Sequence, residues 1–323
     1  MRSIKKVYLS LLTLILTAMI FVTVSYAWIS LNTINNIDGL TLTASSGDEL
    51  EMSIDGVNFY NALPASEVES LFREMKLYDV TSMDGVTFQT GGLRGSGEAI
   101  RNEHYLSFDL WLRTTEKEKH VFLVNHQSQD VTFENSDQAT GTYIVSQGVY
   151  WLSDLRFYNG PTIDDLVVPG DFAKYYGADA VRISFVELID ETNELDERTE
   201  EDLRVFLFDP SNNPNRGFGT LYGQYSYFQQ RAQIYLPIPN TFPNTSYRLS
   251  AIDPFDPYQA LDNESWIATL QPTEALNDND EVYYQAKIRV NLWVEGWDAD
   301  AFDAIDRDIL KIQLQFKVLN KAQ

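Results

Sequence analysis

Four acidic residues near the C-terminal end are spaced closely enough to share one ligand, and they are Glu295, Asp298, Asp300 and Asp303. Carboxylate oxygens are ligands that Ca²⁺ prefers, and an acidic turn suits this hard cation. The spacing does not match an EF-hand loop. Two interpretations therefore stay open, a calcium site or a solvated acidic turn, and the sequence favours the solvated turn. Calcium is the only cofactor that the sequence suggests.

Residues that could carry catalysis are sparse. Histidine occurs three times, at His104, His120 and His126, cysteine is absent, and the His-Glu-x-x-His pattern of zinc peptidases does not occur. Carboxylate pairs for glycoside hydrolysis could be chosen from the 47 acidic residues, but their abundance alone explains such pairs. We therefore predict that the protein is not an enzyme.

Aromatic residues offer a second kind of site, because they can stack on sugar rings or form contact surfaces. Tryptophans at strand spacing are more often core residues, so only an exposed coplanar set would indicate carbohydrate binding. The tryptophans concerned are Trp111, Trp151, Trp266, Trp293 and Trp297. Long loops at about 211–262 are rich in Tyr, Asn and Pro, and tyrosine provides contact area at low entropic cost. These loops could form a binding surface or pack against the core.

The start of the chain has a basic flank followed by an uncharged apolar run from residue 7 to residue 28. Such a run is long enough to span a bilayer core about 30 Å thick, and it also resembles a secretion signal. We predict that residues 1–31 are either a signal peptide cleaved near Ala27 or an uncleaved signal-anchor helix. The residues expected to contact lipid are Val7, Leu11, Leu14, Ile20, Val24, Tyr26 and Trp28. Both interpretations place the remaining chain on the extracellular side of the cell membrane or in the medium.

The composition is strongly acidic, with 24 Lys and Arg against 47 Asp and Glu and a net charge of -23. Such a surface repels the phosphates of nucleic acid, so a nucleic acid partner is excluded. Because no cysteine is present, disulfides cannot stabilise the exported chain, which must rely on a packed core. A hydrophobic content of 44% supplies that core.

The elements that must position these residues are mostly strands, because apolar residues alternate in many short runs. The clearest runs lie at 106–112, 181–187, 282–294 and 309–318. Alternating runs at 40–44 and 50–54 are most simply two strands joined by a tight turn, and 64–75 is spaced for a short helix. The acidic stretch 190–202 is predicted to be solvated. No internal linker divides 32–323, so we predict one domain with long loops and short helices.

The two ends of the chain resemble known exported proteins. Residues 288–300, Ile-Arg-Val-Asn-Leu-Trp-Val-Glu-Gly-Trp-Asp-Ala-Asp, and the closing Leu314-Gln315-Phe316 are similar to the terminal strands of uncharacterised exported proteins of Gram-positive bacteria. The hydrophobic segment ending in Tyr-Ala-Trp-Ile-Ser at 26–30, followed by Leu-Thr-Leu-Thr-Ala at 40–44, resembles the TasA and camelysin-like group. Camelysin relatives are described as metalloproteases, but this chain lacks the zinc ligands.

This resemblance implies a jelly-roll-like antiparallel β-sandwich, preceded by one N-terminal hydrophobic helix, on the cell surface or in the extracellular matrix. It also implies assembly by donation of an N-terminal strand, whose apolar residues would be Leu40, Leu42, Leu50, Met52 and Ile54. The first functional hypothesis is therefore a membrane-anchored structural protein whose partners are the membrane, copies of itself or other surface proteins. The alternative is a surface binding module for a glycan, a peptide or Ca²⁺.

Overall fold

A computed structural model describes residues 11–17, 33–45, 50–73, 75–125 and 130–322 of the chain. These residues are mainly β, which confirms the predicted fold class. The strands are β1 (Ile34–Ala44), β2 (Glu51–Ser53), β3 (Lys76–Thr81), β4 (Gln89–Thr90), β5 (Gly97–Glu98), β6 (Leu106–Thr114), β7 (His120–Val124), β8 (Tyr143–Ser146), β9 (Val149–Leu152), β10 (Phe157–Tyr158), β11 (Leu166–Val167), β12 (Phe172–Tyr175), β13 (Val181–Leu188), β14 (Val205–Phe208), β15 (Thr245–Ser246), β16 (Trp266–Thr269), β17 (Gln271–Leu276), β18 (Val282–Glu295) and β19 (Ile309–Leu319).

Helices are short and peripheral in this part of the chain. Besides the helical residues 11–17, the α-helices are α1 (Ala65–Phe72), which lies within the helix predicted at 64–75, and α2 (Gln224–Ala232). Short 3-10 helices occupy Gly92–Arg94, Ser136–Gln138, Ile163–Asp165, Gly177–Ala180, Glu200–Asp202 and Asp303–Ile305.

Fifteen of the described strands form two layers that belong to one curled, mixed sheet, and two separate two-stranded sheets are formed by β9 with β12 and by β10 with β11. In the first layer, β18 pairs antiparallel with β6 on one side and with β13 on the other, and β14 continues beyond β13. In the second layer, β19 pairs in parallel with β1 and antiparallel with β7 and β8. β3 connects the layers, because it pairs with the start of β1 and with the end of β18.

The core lies between the two layers and follows the alternating pattern of the sequence. β6 turns Leu106, Phe108, Leu110 and Leu112 inward, and β18 and β19 do the same with their apolar positions. Phe185 of β13 contacts Phe316 of β19 across the layers in a T-shaped pair at 6.1 Å. The first and last strands of the described domain therefore close the same core.

Two expectations about local structure need correction. The runs at 40–44 and 50–54 form β1 and β2, but they do not pair with each other, since β1 pairs with β19 and β2 pairs with β6. The predicted hairpin is therefore wrong. The acidic stretch 190–202 is mostly exposed as expected, except that the side chains of Asp190 and Asp196 are buried.

Candidate functional site

The acidic C-terminal turn does not bring its four carboxylates onto a common point. The Glu295 carboxylate is buried and accepts hydrogen bonds from Trp293 Nε1 at 3.0 Å, from the Trp297 backbone N–H at 3.1 Å and from the Ser82 backbone N–H at 3.3 Å. Each bond joins the turn to a strand or loop nearby. Glu295 therefore fixes the path of the chain as it leaves β18.

Asp298 belongs to a buried ion cluster on the other side of the turn. Arg182 of β13 forms a short contact with Asp298 and an ion pair with Asp209 at 2.6 Å. All three side chains are almost fully buried. Burial raises the pKa of Asp298 well above its usual range, and Asp209, the second carboxylate facing the single guanidinium, adds to this effect. Burial likewise raises the pKa of Asp209.

The remaining two carboxylates have partners of their own. Asp300 accepts hydrogen bonds from Arg216 Nε at 2.8 Å and from Arg216 Nη2 at 2.6 Å, and Asp303 accepts one from the Tyr227 hydroxyl at 2.7 Å. Among the described residues, no group of three or more His, Asp or Glu side chains has an arrangement that could hold a metal ion. The four residues considered as calcium ligands therefore contact separate partners, and the favoured interpretation as a solvated turn is wrong for Glu295 and Asp298, whose side chains are buried.

A buried carboxylate next to this turn escaped the sequence analysis. Asp79 of β3 is buried, and its Oδ1 atom has no hydrogen-bond partner among the described residues. Burial raises the pKa of Asp79 well above its usual range. The backbone of Gly92 passes so close that a Cβ atom there would lie 2.4 Å from Asp79 Oδ2. Only the packing of the 3-10 helix against β3 reveals this contact.

The histidines take structural positions where they are described. His104 Nδ1 accepts the Ile100 backbone N–H at 2.9 Å, and His120 packs edge-on against Trp266 at 4.7 Å. Burial lowers the pKa of His120 to about 4, and the nearby cations Lys321 and Arg204 act in the same direction. His126 lies outside the described residues.

The tryptophans are core or half-buried residues. Trp293 and Trp297 are buried. Trp111 and Trp266 are half-buried and face cations, with Lys287 Nζ at 4.7 Å from the Trp111 ring and the Arg204 guanidinium at 3.9 Å from the Trp266 ring. These tryptophans therefore do not form the exposed coplanar set that would indicate carbohydrate binding.

Strands β9 and β12 form a two-stranded ribbon, and one face of this ribbon is an exposed aromatic surface. Its inner face places Trp151 and Tyr175 against Phe302 in an aromatic cluster. Its outer face carries Tyr150, Leu152, Phe172 and Lys174, because Leu152 pairs with Phe172 and Tyr150 pairs with Lys174. Tyr150 and Phe172 are 67% and 65% exposed and stack with 10° between their rings. We call this outer face, together with Tyr176, the aromatic ribbon face.

Sequence reasoning missed the aromatic ribbon face for an identifiable reason. The run Val149-Tyr150-Trp151-Leu152 is apolar at every position, so alternation does not indicate which side is exposed. The signal that could have revealed it is the pair of short aromatic runs at 149–152 and 172–176, which are close in the sequence and rich in tyrosine.

A groove beside β8 is the second surface feature. β8 pairs only with β19 among the described strands, and hollows of about 570 Å³ and about 310 Å³ adjoin it. Val131, Ile144 and Val145 line both hollows. Tyr247 borders the larger hollow, and burial raises its pKa to about 12. The Tyr-rich stretch 211–262 thus contributes to a groove, but it is not all loop as predicted, since it contains α2 and β15 and buries Tyr225 and Tyr227 of α2.

The predicted donor strand residues lie inside the chain's own fold. Leu40, Leu42, Leu50 and Met52 are buried in the main core, and Ile54 packs against it. β1 pairs in parallel with β19 at eight positions, from Asn36 opposite Ile309 to Ala44 opposite Phe316. These residues therefore contribute to the core of the described monomer.

The predicted membrane segment is described only in part. Residues 11–17 are helical and exposed, and they include Leu11 and Leu14. Val7, Ile20, Val24, Tyr26 and Trp28 lie outside the described residues. Of the helices that are described, none combines the length and apolar character needed to cross a bilayer.

Comparison with known proteins gives no match of any kind. No family model, no curated protein and no solved structure is similar to this chain at a significant level. Functional reasoning therefore rests on the sequence and on the geometry above.

Proposed function

We propose that this chain is an exported structural protein of the cell surface or extracellular matrix, attached to the membrane by its N-terminal segment, that associates with copies of itself by exchanging β1. The observation that carries the proposal is the position of β1. It is the first strand of the described domain, and it completes the core by pairing with the last strand, β19.

The contacts of β1 are of the kind that a second copy could supply. Leu42 is fully buried between the layers, and its neighbour in register is Leu314 of β19. A β1 strand from another copy would make the same parallel register and bury the same side chains. Exchange of an identical terminal element is a low-cost route to association, because the interior contacts are preserved.

The separation of β1 from β2 makes such an exchange simpler. Because β2 pairs with β6 and not with β1, removing β1 breaks no hairpin. The contacts to be replaced are those with β19, with the start of β3, with α1 and the segment at 61–63 that precedes it, and with the core around Leu40 and Leu42. The same contacts would form again between two copies.

The absence of cysteine from the sequence allows a direct test by disulfide trapping. The variant Thr41→Cys with Gln313→Cys places one cysteine on β1 and one at its register partner on β19. If β1 is exchanged, the full chain oxidised on the surface of expressing cells forms covalent dimers and longer ladders on non-reducing gels. A matched control, Asp109→Cys with Arg289→Cys, joins the interior strands β6 and β18 and should give only intramolecular disulfides.

The trapping experiment can reject the proposal. If the pair at Thr41 and Gln313 oxidises completely and yields only monomer, β1 stays in its own chain and assembly by strand exchange is wrong. If both pairs yield ladders, the ladders report random collision, and the proposal fails as well.

The groove beside β8 supports a second candidate, a binding module for extended peptides. The Gln147 N–H donates to the Ile309 carbonyl at 2.9 Å, so alternation along an antiparallel pair turns the backbone groups of Ile144 away from β19 and into the groove. Unpaired backbone groups of this kind accept an added strand. Against a library of extended peptides, Ile144→Pro should abolish binding without unfolding the chain. Equal binding by Ile144→Pro and the parent chain would reject this candidate.

A further inference from the structure

We propose that the aromatic ribbon face rests on the headgroup region of the membrane, beside the point where the chain enters β1. This contact depends on the proposed membrane attachment, and it would be a second contact with lipid, made by the folded domain. It is carried by the side chains of the face and by its position next to the first described residues of the domain.

The aromatic ribbon face has the residue types that favour the boundary between lipid and water. Tyr150, Leu152 and Phe172 are exposed on one side of a ribbon whose other side is packed into the domain. Lys174 Nζ lies 5.6 Å from the Tyr150 ring and 5.1 Å from the Tyr176 ring. Amphipathic aromatic rings concentrate at membrane interfaces, and a lysine can keep its stem in apolar surroundings while its ammonium reaches the headgroups.

The base of the ribbon touches the start of β1. The Asp308 carboxylate accepts the N–H of Gly148, which precedes β9, and the N–H of Gly177, which follows β12. The Asp308 carbonyl accepts the N–H of Asn36 in β1. A Cβ atom on Gly177 would lie 3.0 Å from Asn35 Oδ1. The ribbon and the first residues of the domain therefore meet at one point.

The ribbon is longer than the interfacial region is thick, so its whole face contacts headgroups only when the ribbon lies along the membrane surface. Strand residues rise about 3.3 Å each, so Leu152 lies about 13 Å along the ribbon from Gly148. The interfacial region on each side of a bilayer core is about 5 to 8 Å thick. If the hydrophobic run that ends at residue 28 lies in the membrane, a ribbon of this length beside Asn35 is within reach of the interface.

Two exposed cations and two carboxylates, those of Asp306 and Asp308, lie at the start of β1 in a chain whose net charge is -23. Lys76 opens β3 opposite Asn36, and Arg307, whose N–H donates to the Ile34 carbonyl, is 85% exposed. Asp306 offsets part of the Arg307 charge at 3.4 Å. Cations beside a membrane segment attract lipid phosphates.

The experiment uses the full chain in phosphatidylcholine vesicles, with a single cysteine that carries an environment-sensitive nitrobenzoxadiazole label. The test variant is Phe172→Cys on the aromatic ribbon face. The control is Phe255→Cys, which replaces a 95% exposed phenylalanine in a loop beside Asn320, at the opposite end of β19. β19 spans about 33 Å, so the two labels test opposite ends of the domain.

We expect the label at position 172 to shift to shorter emission wavelength and to lose most of its quenching by iodide when vesicles are added. The label at position 255 should show neither change. The triple variant Tyr150→Ser, Leu152→Ser, Phe172→Ser should keep the circular dichroism of the parent chain, because the replaced side chains are exposed. In that variant, a label attached through Lys174→Cys should be quenched by iodide to the same extent with vesicles as without them.

Flotation of the vesicles distinguishes failure of the ribbon contact from failure of the membrane attachment. If the chain floats with the vesicles while the label at 172 is quenched as strongly as the label at 255, the ribbon contact is wrong and the membrane attachment stands. If the chain does not float, both the attachment and the ribbon contact are wrong.

Discussion

The carboxylate of Asp308 accepts a hydrogen bond from the backbone N–H of Gly177 at 2.7 Å, and this contact ties the end of the ribbon to the start of β19. The same carboxylate accepts the N–H of Gly148 at 2.8 Å and that of Ile309 at 2.8 Å. Asp308 is 1% exposed. One buried side chain therefore holds both strands of the ribbon at their base.

Replacing Asp308 with Asn should loosen the ribbon while leaving the sandwich folded. The amide has one acceptor oxygen where the carboxylate has two, so at least one backbone N–H loses its partner, at a cost of about 1 to 3 kcal/mol. Hydrogen exchange should become faster at 149–152 and 172–175 and stay unchanged in β18. As a control, Asp253→Asn removes a carboxylate that accepts the Phe255 N–H in an exposed turn, and it should not alter the ribbon. Unchanged exchange in the ribbon of Asp308→Asn would show that Asp308 does not hold it.

The Arg182 cluster should be among the most sensitive sites for stability. Arg182→Met leaves Asp209 and Asp298 buried without their cation, and removal of one partner from a buried ion pair typically costs about 3 to 5 kcal/mol. Arg248→Met is the matched control, because Arg248 pairs with Asp262 and Glu264 at the surface, where such pairs contribute about 0 to 1 kcal/mol. Urea denaturation would measure both. If the two variants lose similar amounts of unfolding free energy, the buried cluster does not stabilise the fold more than the surface pairs do.

His120 should make the protein sensitive to mild acid. Its pKa is about 4 in the folded state and about 6.5 in an unfolded chain, so the unfolded state binds more protons between these values. Stability is therefore lost as pH falls from about 6.5 to 4, by about 1 to 2 kcal/mol after allowance for partial exposure.

The variant His120→Phe keeps an aromatic ring against Trp266 and removes this titration. Its melting temperature should fall less than that of the parent chain between pH 7 and pH 4. The other acidic groups titrate in both proteins, so the difference isolates His120. Identical pH profiles would contradict the assignment.

The contact between Gly296 and Gly92 should tolerate no side chain. A Cβ atom on Gly296 would lie 2.2 Å from the Gly92 Cα, which is backbone and cannot rotate away. Gly296→Ala should therefore destabilise the chain by about 1 to 3 kcal/mol or more through overpacking. Gly39→Ala is the control, since the nearest atom to its Cβ would be Lys311 Cγ at 3.9 Å. Equal melting temperatures for the two variants would show that the turn can move aside.

The sequence by itself determined where the main strands lie, through the alternation of apolar residues, and which face of each strand is buried. Leu106, Phe108, Leu110 and Leu112 occupy every second position of β6, and burial of one face follows directly from the geometry of a strand. The same reasoning holds for β18 and β19, and it gives the mainly β class. Spacing likewise indicated α1. These features are local, so residues close in sequence are sufficient to specify them.

Only the tertiary structure decided which strands pair and which side chains meet. The pattern at 40–54 fixed the inward faces of β1 and β2 but not their partners, because alternation carries no information about register or neighbour. In the same way, four clustered acids suggested a common ligand, whereas Asp298 faces Arg182, more than one hundred residues earlier in the chain. The aromatic ribbon face also depends on the packing of Trp151 and Tyr175, which leaves Tyr150 and Phe172 outside. Contacts between distant segments set these outcomes, and only the folded chain brings those segments together.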